Sequence, residues 1–262
     1  EPLEIRVGGK SIAVVMRTPG HDRELAAGFL VTEGLLRRRD EVLDMVRCDG
    51  TNGPAAHAAG HDGTAANGEN ILDVLLAPDA VVDLSRLTRH VFTSSSCGIC
   101  SKASIAAVQA QFPAIAATHA LLPRREVLVA LPERLRAAQA AFAATGGLHA
   151  SALFDAEGRL IVVREDVGRH NALDKIIGHA FFAERLPLSD RILLVSGRVS
   201  FELMQKALAA GIPCVAAISA PTTAAVDFAR ETGQVLVGFL RPADGAEAGA
   251  MRMNVYAGTL AA

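Results

Sequence analysis

Cys97 and Cys100 are the residues whose type and spacing most directly suggest chemistry. They form a C-x-x-C, Cys97-Gly98-Ile99-Cys100, preceded by Thr93-Ser94-Ser95-Ser96 and followed by Lys102, just before a helix predicted over 102–111. A helix N-terminus and a nearby cation favour the thiolate, which is the nucleophile. Such a cysteine can attack a sulfur donor or a disulfide. The hydroxyl-rich, glycine-bearing flank suits an exposed loop. Three chemistries fit the motif. In a persulfide carrier, Cys97 accepts sulfane sulfur and Cys100 assists. A zinc or iron–sulfur site wants about four ligands, so His90, His119, His149 or His170 would have to replace the missing second cysteine pair. A thioredoxin-like dithiol normally opens the first helix after a strand in a smaller domain. Zinc deaminases place H-x-E before P-C-x-x-C. Here the histidine follows and reads His149-Ala150-Ser151, without the proton-shuttling glutamate, so deamination as described cannot run.

A second group of residues reads as an anion site. Four loops are predicted to leave the carboxyl ends of strands in the C-terminal half: REDVGRHN, SGRVS, SAPTT and GFLRP. In open α/β sheets, ligands bind outside these ends. Arg164, Arg169, Arg198 and Arg241 lie in them. Their glycines allow close backbone approach, and Ser200 and Thr222 can cap helices whose N-termini point at the same edge. Guanidinium groups beside helix N-termini suit phosphate. Glu165 and Asp166 could read ribose hydroxyls or a base amine, and His149 and His170 could move a proton. There is no G-x-G-x-x-G or Walker loop, which excludes a standard dinucleotide or ATP fold.

The elements that position these residues follow from periodicity. Residues 3–17 read as a strand pair turning at Gly8-Gly9. A helix is predicted over 23–38, ending in the arginine run 37–39. Strands Val42–Arg47 and Ile71–Leu76 flank a Gly/Ala/Asn-rich loop, 49–70, whose His57 and His61 are not read as metal ligands because the segment lacks helical periodicity. Pro132 is placed at the first turn of a helix that Gly146-Gly147 ends. A hairpin over 148–163 turns at 155–158. Helices at 171–184, from about Ser200, and at 222–231 then alternate with the apolar strands ILLVS, CVAAIS and VLVGFL, and RMNVY comes last. Continuous apolar strands separated by helices predict a parallel sheet covered on both faces. The division read from this is 1–120, a small α+β region carrying the C-x-x-C, and 121–262, an α/β domain. Cys48 and Cys214 lie in or beside strands and read as core.

The 262 residues carry a net charge of −2, with 50% hydrophobic and 21% charged residues. This balance predicts a soluble globular protein without bulk attraction to nucleic acid. One Tyr and no Trp give no aromatic platform for single strands. No apolar run reaches the ~18 residues of a membrane span, and EPLEIRVGGK has no signal-peptide core. The expectation is a cytoplasmic protein with no membrane or nucleic-acid partner.

Several long motifs occur in order: ELAAGFLVTEGLL, SSSCGICSKASI, TGGLHASALFD, EDVGRHNALDKIIG, SGRVSFELMQKA, SAPTTAAVDFARETG and VGFLR…MNVY. Through them nearly the whole chain resembles the formate dehydrogenase accessory sulfurtransferase family, FdhD. The resemblance implies a sulfurtransferase that takes sulfur from a cysteine desulfurase onto the loop cysteines. It then passes the sulfur to molybdenum or tungsten held by a bis(pterin guanine dinucleotide) cofactor, before insertion into formate dehydrogenase. Guanine nucleotide would mimic that cofactor. The persulfide cysteine of the family matches Cys97, with Cys100 assisting. A cytidine-deaminase-like, three-layer C-terminal domain with a mixed, largely parallel sheet is implied, as is a homodimer. Cofactor binding is expected at Glu165, Asp166, Gly168, Arg169, His170, Asn171, Ser196, Gly197, Arg198 and Ser219, and along Gly238, Phe239, Leu240 and Arg241. No resident metal is implied. Ser101 stands where the family commonly has Gly, and the insertions at 49–70 and 242–250 are unusual. A cofactor-binding chaperone that moves no sulfur and a zinc-stabilised binding module are the alternatives.

Overall fold

Two glycines with positive φ, Gly8 (56°) and Gly9 (79°), turn the first hairpin where a side chain would be strained. They join β1 (Pro2–Val7) to β2 (Lys10–Met16) as predicted. The computed structural model describes residues 1–48, 70–80, 82–83, 111–115, 121–242 and 251–261. Helix α1 (Asp22–Thr32) is shorter than the predicted 23–38. Gly34, at φ 74°, turns the chain away, so the arginine run lies beyond the helix and enters a 3-10 turn, Arg39–Glu41. β3 (Val42–Arg47) and β4 (Ile71–Leu76) match the sequence reading, and the first sheet has the order β2-β1-β4-β3. Of the insertions at 49–70 and 242–250, residues 49–69 and 243–250 lie outside the described residues.

Pro132 sits inside α2 (Arg125–Ala138) instead of opening it. An interior proline removes a backbone bond and costs about 3 kcal/mol. The buried stripe Val127, Leu128, Leu131 and Leu135 runs through it and outweighs that loss. A separate helix, α3 (Ala140–Thr145), ends at Gly146 (φ 66°). Then follow β5 (His149–Phe154), β6 (Leu160–Asp166), α4 (Arg169–Phe182), β7 (Ile192–Val195), α5 (Phe201–Ala209), β8 (Cys214–Ala217), α6 (Thr223–Thr232), β9 (Val235–Pro242) and β10 (Met251–Ala257).

The second sheet has six strands in the order β10-β9-β8-β7-β5-β6. It is mixed, as expected, but not largely parallel. Only β7-β8 and β8-β9 pair parallel, while β5 pairs antiparallel with both β6 and β7, and β10 with β9. A hairpin inserted at one edge accounts for the difference, since short turns allow only antiparallel pairing.

Strand alternation gives the sheet two apolar faces. Ala150, Ala152, Phe154, Ile192, Leu194, Cys214, Ala216, Val235 and Val237 pack against the α2 stripe. Leu153, Leu193, Val195, Val215, Ala217 and Leu236 face a larger cluster with α1, α4, α5, α6 and the first sheet. The described parts of 1–120 and 121–262 therefore share one core cluster. α1 and α4 cross backbone to backbone. A Cβ on Gly28 would overlap the Asp174 carbonyl, and one on Gly178 the Glu24 carbonyl. No helix among the described residues is long and apolar enough to cross a membrane.

Candidate functional site

β6, β7, β8 and β9 run in one direction, so their carboxyl ends share an edge with the first residues of β5 and β10. The N-termini of α4, α5 and α6 reach the same edge. Ser200 and Thr222 cap two of them as predicted, accepting from Leu203 N and Ala225 N, and Gly168 precedes the third. The loops after β7 and β8 are joined, with Thr222 N donating to Val199 O at 2.9 Å. Beside this edge lies a cleft of about 840 Å³. One wall is α2 and α3, including Pro132, Arg136 and Phe142. The other is the sheet edge, with His149, Ser196, Leu240 and Arg241.

β9 owes its part in the cleft to a bulge. The ladder with β8 stops at Val237, and beyond it β9 pairs with β10, with Phe239 N donating to Ser219 O just past β8. Gly238 pairs with Asn254 and Arg241 with Arg252, so β9 carries one residue more than its partner across this span. Phe239 sits at φ 53°, a strained conformation for an aromatic residue. The break in alternation brings Leu240 to the α2 side, where Val235 and Val237 already face. GFLRP is therefore a bulged ribbon and not a loop. Phe239 lies under two guanidinium groups, Arg241 at 5.5 Å and Arg252 at 5.8 Å. Across the cleft Arg136 covers Phe142 at 5.3 Å.

Charge pairing divides the predicted residues. Among the described residues, Arg136, Arg169, Arg198 and Arg241 have no carboxylate within ion-pair distance, and Arg169 and Arg241 each bury an Nε without a hydrogen-bond partner. Gly197 lets the His149 ring lie against its Cα, since a Cβ there would be 3.1 Å from Nδ1 and 3.8 Å from Arg169 Cδ. Burial, then Arg169 and Arg198, lower the pKa of His149. Ser196 Oγ accepts from Ala150 N at 2.9 Å and orders the strand start. Ser219 offers its carbonyl to Phe239 N at 3.1 Å, and a Cβ on Gly238 would press on Pro221 and Tyr256.

The other predicted ligand residues face protein. Asp166 is fully buried and meets Lys175 Nζ at 2.7 Å, Gly168 N and Asn171 Nδ2 at 2.9 Å and Thr18 N at 3.0 Å. Asn171 also donates to Met16 O. Together they fasten the β6–α4 turn to the β2–α1 turn. Glu165 caps α3, accepting from Ala141 N and Phe142 N at 2.9 and 2.7 Å. Arg164 pairs with Glu24 at 2.5 Å. His170 touches Glu202 at 3.1 Å and Ser200 at 3.3 Å. Burial, then Lys206, Arg169 and His149, lower its pKa to about 3, so it is neutral and hydrogen-bonds to Glu202. Cys214 is core, its thiol pushed up to about 12 by burial, whereas Cys48 is only half-buried. Arg136 and Phe142 were not legible in the sequence, because a charged residue on an amphipathic helix reads as a solvated face.

A smaller depression of about 430 Å³ lies at His21, Asp22, Glu24, Arg39 and Arg47. Its acids are paired within the protein: Asp22 with Arg17 at 3.1 Å and Arg47 at 2.8 Å, and Glu24 with Arg164. Of the arginines without a carboxylate, Arg136 and Arg241 line the large cleft, while Arg169 and Arg198 lie beside it at the adjoining strand ends.

A sequence model of the FdhD/NarQ family matches residues 1–261. The chain belongs to this family. It is 53% identical to the sulfur carrier protein FdhD of Streptomyces avermitilis, over 98% of this chain and 86% of that protein. It is 48% identical to that of Mycobacterium tuberculosis, over 92% and 85%, and 41% identical to that of Sulfolobus acidocaldarius, over 92% and 84%. A crystal structure described as a formate dehydrogenase accessory protein, from Desulfotalea psychrophila, has a similar fold: TM-score 0.67 at 20% identity, covering 98% of this chain and 86% of that one. In this FdhD/NarQ chain, Cys97, Cys100, Lys102 and the helix predicted after them lie outside the described residues, except Gln111. Gln111 donates to Glu33 O at 2.8 Å, which holds Gln111 beside the end of α1.

Proposed function

We propose that the protein is a sulfur carrier for formate dehydrogenase. Cys97 takes persulfide sulfur from a cysteine desulfurase and delivers it to a molybdenum or tungsten bis(pterin guanine dinucleotide) substrate before that substrate enters the dehydrogenase. The observation that carries this reading is 53% identity along 98% of the chain to a protein named as a sulfur carrier, in a chain that holds a C-x-x-C. In the loading step the Cys97 thiolate attacks the outer sulfur of the desulfurase persulfide. The S–S bond of the donor breaks, the desulfurase thiolate leaves, and Cys97 holds the persulfide. Delivery takes one of two balanced routes. Either an electron pair of a reduced acceptor takes the sulfane sulfur, the S–S bond breaks and Cys97 leaves as thiolate, or Cys100 attacks the Cys97 sulfur, forms a disulfide with it and expels the outer sulfur as sulfide to the acceptor.

The cleft supports the substrate part of this reading. Guanidinium groups without carboxylates, together with helix N-termini, suit a diphosphate. The arginine–phenylalanine pairs offer flat, cationic surface to a heterocycle. In this reading Arg169, Arg198 and Arg241 hold phosphates, while Asp166, Asn171 and His170 hold the loops that carry them. The protein acts in the cytoplasm as a homodimer, as the family resemblance implies.

Intact-mass spectrometry after incubation with a cysteine desulfurase and cysteine tests the carrier role. A gain of one sulfur, removed by reductant and absent in Cys97→Ala, is expected. No gain in wild type with a competent desulfurase sinks the carrier role. Formate dehydrogenase maturation that survives Cys97→Ala favours a cofactor-binding chaperone.

A further inference from the structure

Among the described residues that line the cleft, His149 is the titratable ring, and the charges of Arg169 and Arg198 act on it. Its ring packs on Gly197, and Arg169 approaches the same point, with Cδ at 3.8 Å from where a Gly197 Cβ would stand. The charged groups around it come from every neighbouring element. Arg169 and His170 begin α4, and Arg198 lies in the loop after β7. Asp166 is opposite on β6 but committed to Lys175. Glu133 and Arg136 face it across the cleft from α2, and Arg241 from β9. Burial and then the fields of Arg169 and Arg198 lower the pKa of the ring and favour its neutral form. An anion at those two guanidinium groups offsets that field and brings a negative neighbour to the ring, which favours the protonated imidazole.

We propose that His149 is a ligand-contacting proton acceptor, which takes up one proton when an anionic group seats at Arg169 and Arg198. The imidazolium then adds a positive donor to the anion clamp. It is also a proton source present only in the occupied protein, so a sulfur-bearing substrate meets an acid only once its phosphates are held. This inference rests on the anion-cleft reading above. His170, by contrast, is tied to Glu202 and Ser200 and stays neutral.

Histidine-ring NMR of the full chain, from about pH 5 to 8, reads His149 directly. It is run without anion, with guanosine diphosphate, and with sulfate, which does not titrate in this range, against chloride at equal ionic strength. His149→Gln assigns the signal. The expected result is a midpoint that rises by about one pH unit or more with either anion, and apparent guanosine diphosphate affinity that gains up to about tenfold per pH unit lowered in that window. Calorimetry in two buffers of different ionisation enthalpy should show proton uptake that His149→Gln lacks. The exposed Arg198→Gln, usable if His149→Gln does not fold, should raise the anion-free midpoint and shrink the shift. Binding of guanosine diphosphate with an unmoved His149 and an unchanged proton count overturns the inference and leaves the cleft reading standing. No binding of either anion by wild type overturns the cleft reading and the inference with it.

Discussion

On the α4 side of the six-stranded sheet, Lys206 Nζ lies 2.9 Å from both Asp174 oxygens and 2.9 Å from Thr32 Oγ1. Asp166 and Lys175 make a second buried pair at 2.7 Å. Burial pushes Asp174 up to about 6, which leaves it ionised at neutral pH, and Lys206 is raised as its carboxylate partners outweigh burial. In and beside the cleft, Arg136 and Arg241 on its lining and Arg169 and Arg198 at the adjoining strand ends have no such partner among the described residues. Both regions are rich in charge, but they do different work. A buried pair that is complete holds elements together, and removing one member strands the other. A guanidinium without a carboxylate keeps its donors open to an outside anion, the role proposed for the arginines in and beside the cleft. Having a partner separates the two roles better than residue type does.

The largest effect should come from breaking the buried side. Lys206→Met leaves Asp174 uncompensated and should cost about 3–5 kcal/mol, read by chemical denaturation, with guanosine diphosphate affinity unchanged in the folded fraction. Asp174→Leu with Lys206→Met should recover much of the loss. If Lys206→Met alone is neutral, the pair is not structural.

The next effect is a pH dependence. His170 titrates near 6.5 when unfolded and about 3 when folded. Because the folded value is depressed, the unfolded chain binds more protons in this window. The contribution is fully present above about pH 6.5 and is lost as pH falls toward 3. Stability should drop by up to about 1.4 kcal/mol per pH unit there, and His170→Gln should flatten that slope in denaturation series.

On the cleft side, Arg169→Ala and Arg241→Ala should each weaken guanosine diphosphate binding about tenfold, or ~1.4 kcal/mol. Denaturation midpoints should barely move, as for other substitutions outside the packed core, within about 0.5 kcal/mol. A large stability loss without loss of binding would place these arginines with the buried set. The smallest effect should come from the join between the regions. Glu165→Gln weakens the cap on α3 by about 1 kcal/mol, and frayed amide exchange at Ala141 and Phe142 should report it.

Much of this arrangement was legible in the sequence. The Gly8-Gly9 hairpin, the Ser200 and Thr222 caps and the apolar strands depend on residues within a few positions of one another. The gathering of polar loops at one sheet edge followed from strand direction. Other features escaped because packing overrode local preference. The α2 stripe carries Pro132 through a helix interior. Gly34 ends α1 early. The bulge at Phe239 turned a predicted loop into a ribbon. Cys97 and Cys100, the clearest chemical signal in the sequence, lie outside the described residues, and their role rests on motif and family.

By itself the sequence determined most of the element order, the C-x-x-C, the motifs that carry the family and the gathering of polar loops at one sheet edge, because each is written in local spacing. Only the tertiary structure decided which polar residues of that edge remain available. Asp166 meets Thr18 across 148 positions, and Lys206 meets Thr32 across 174. Partners that distant leave no periodic trace in a chain, so whether a charge is paired is known only once the chain has folded.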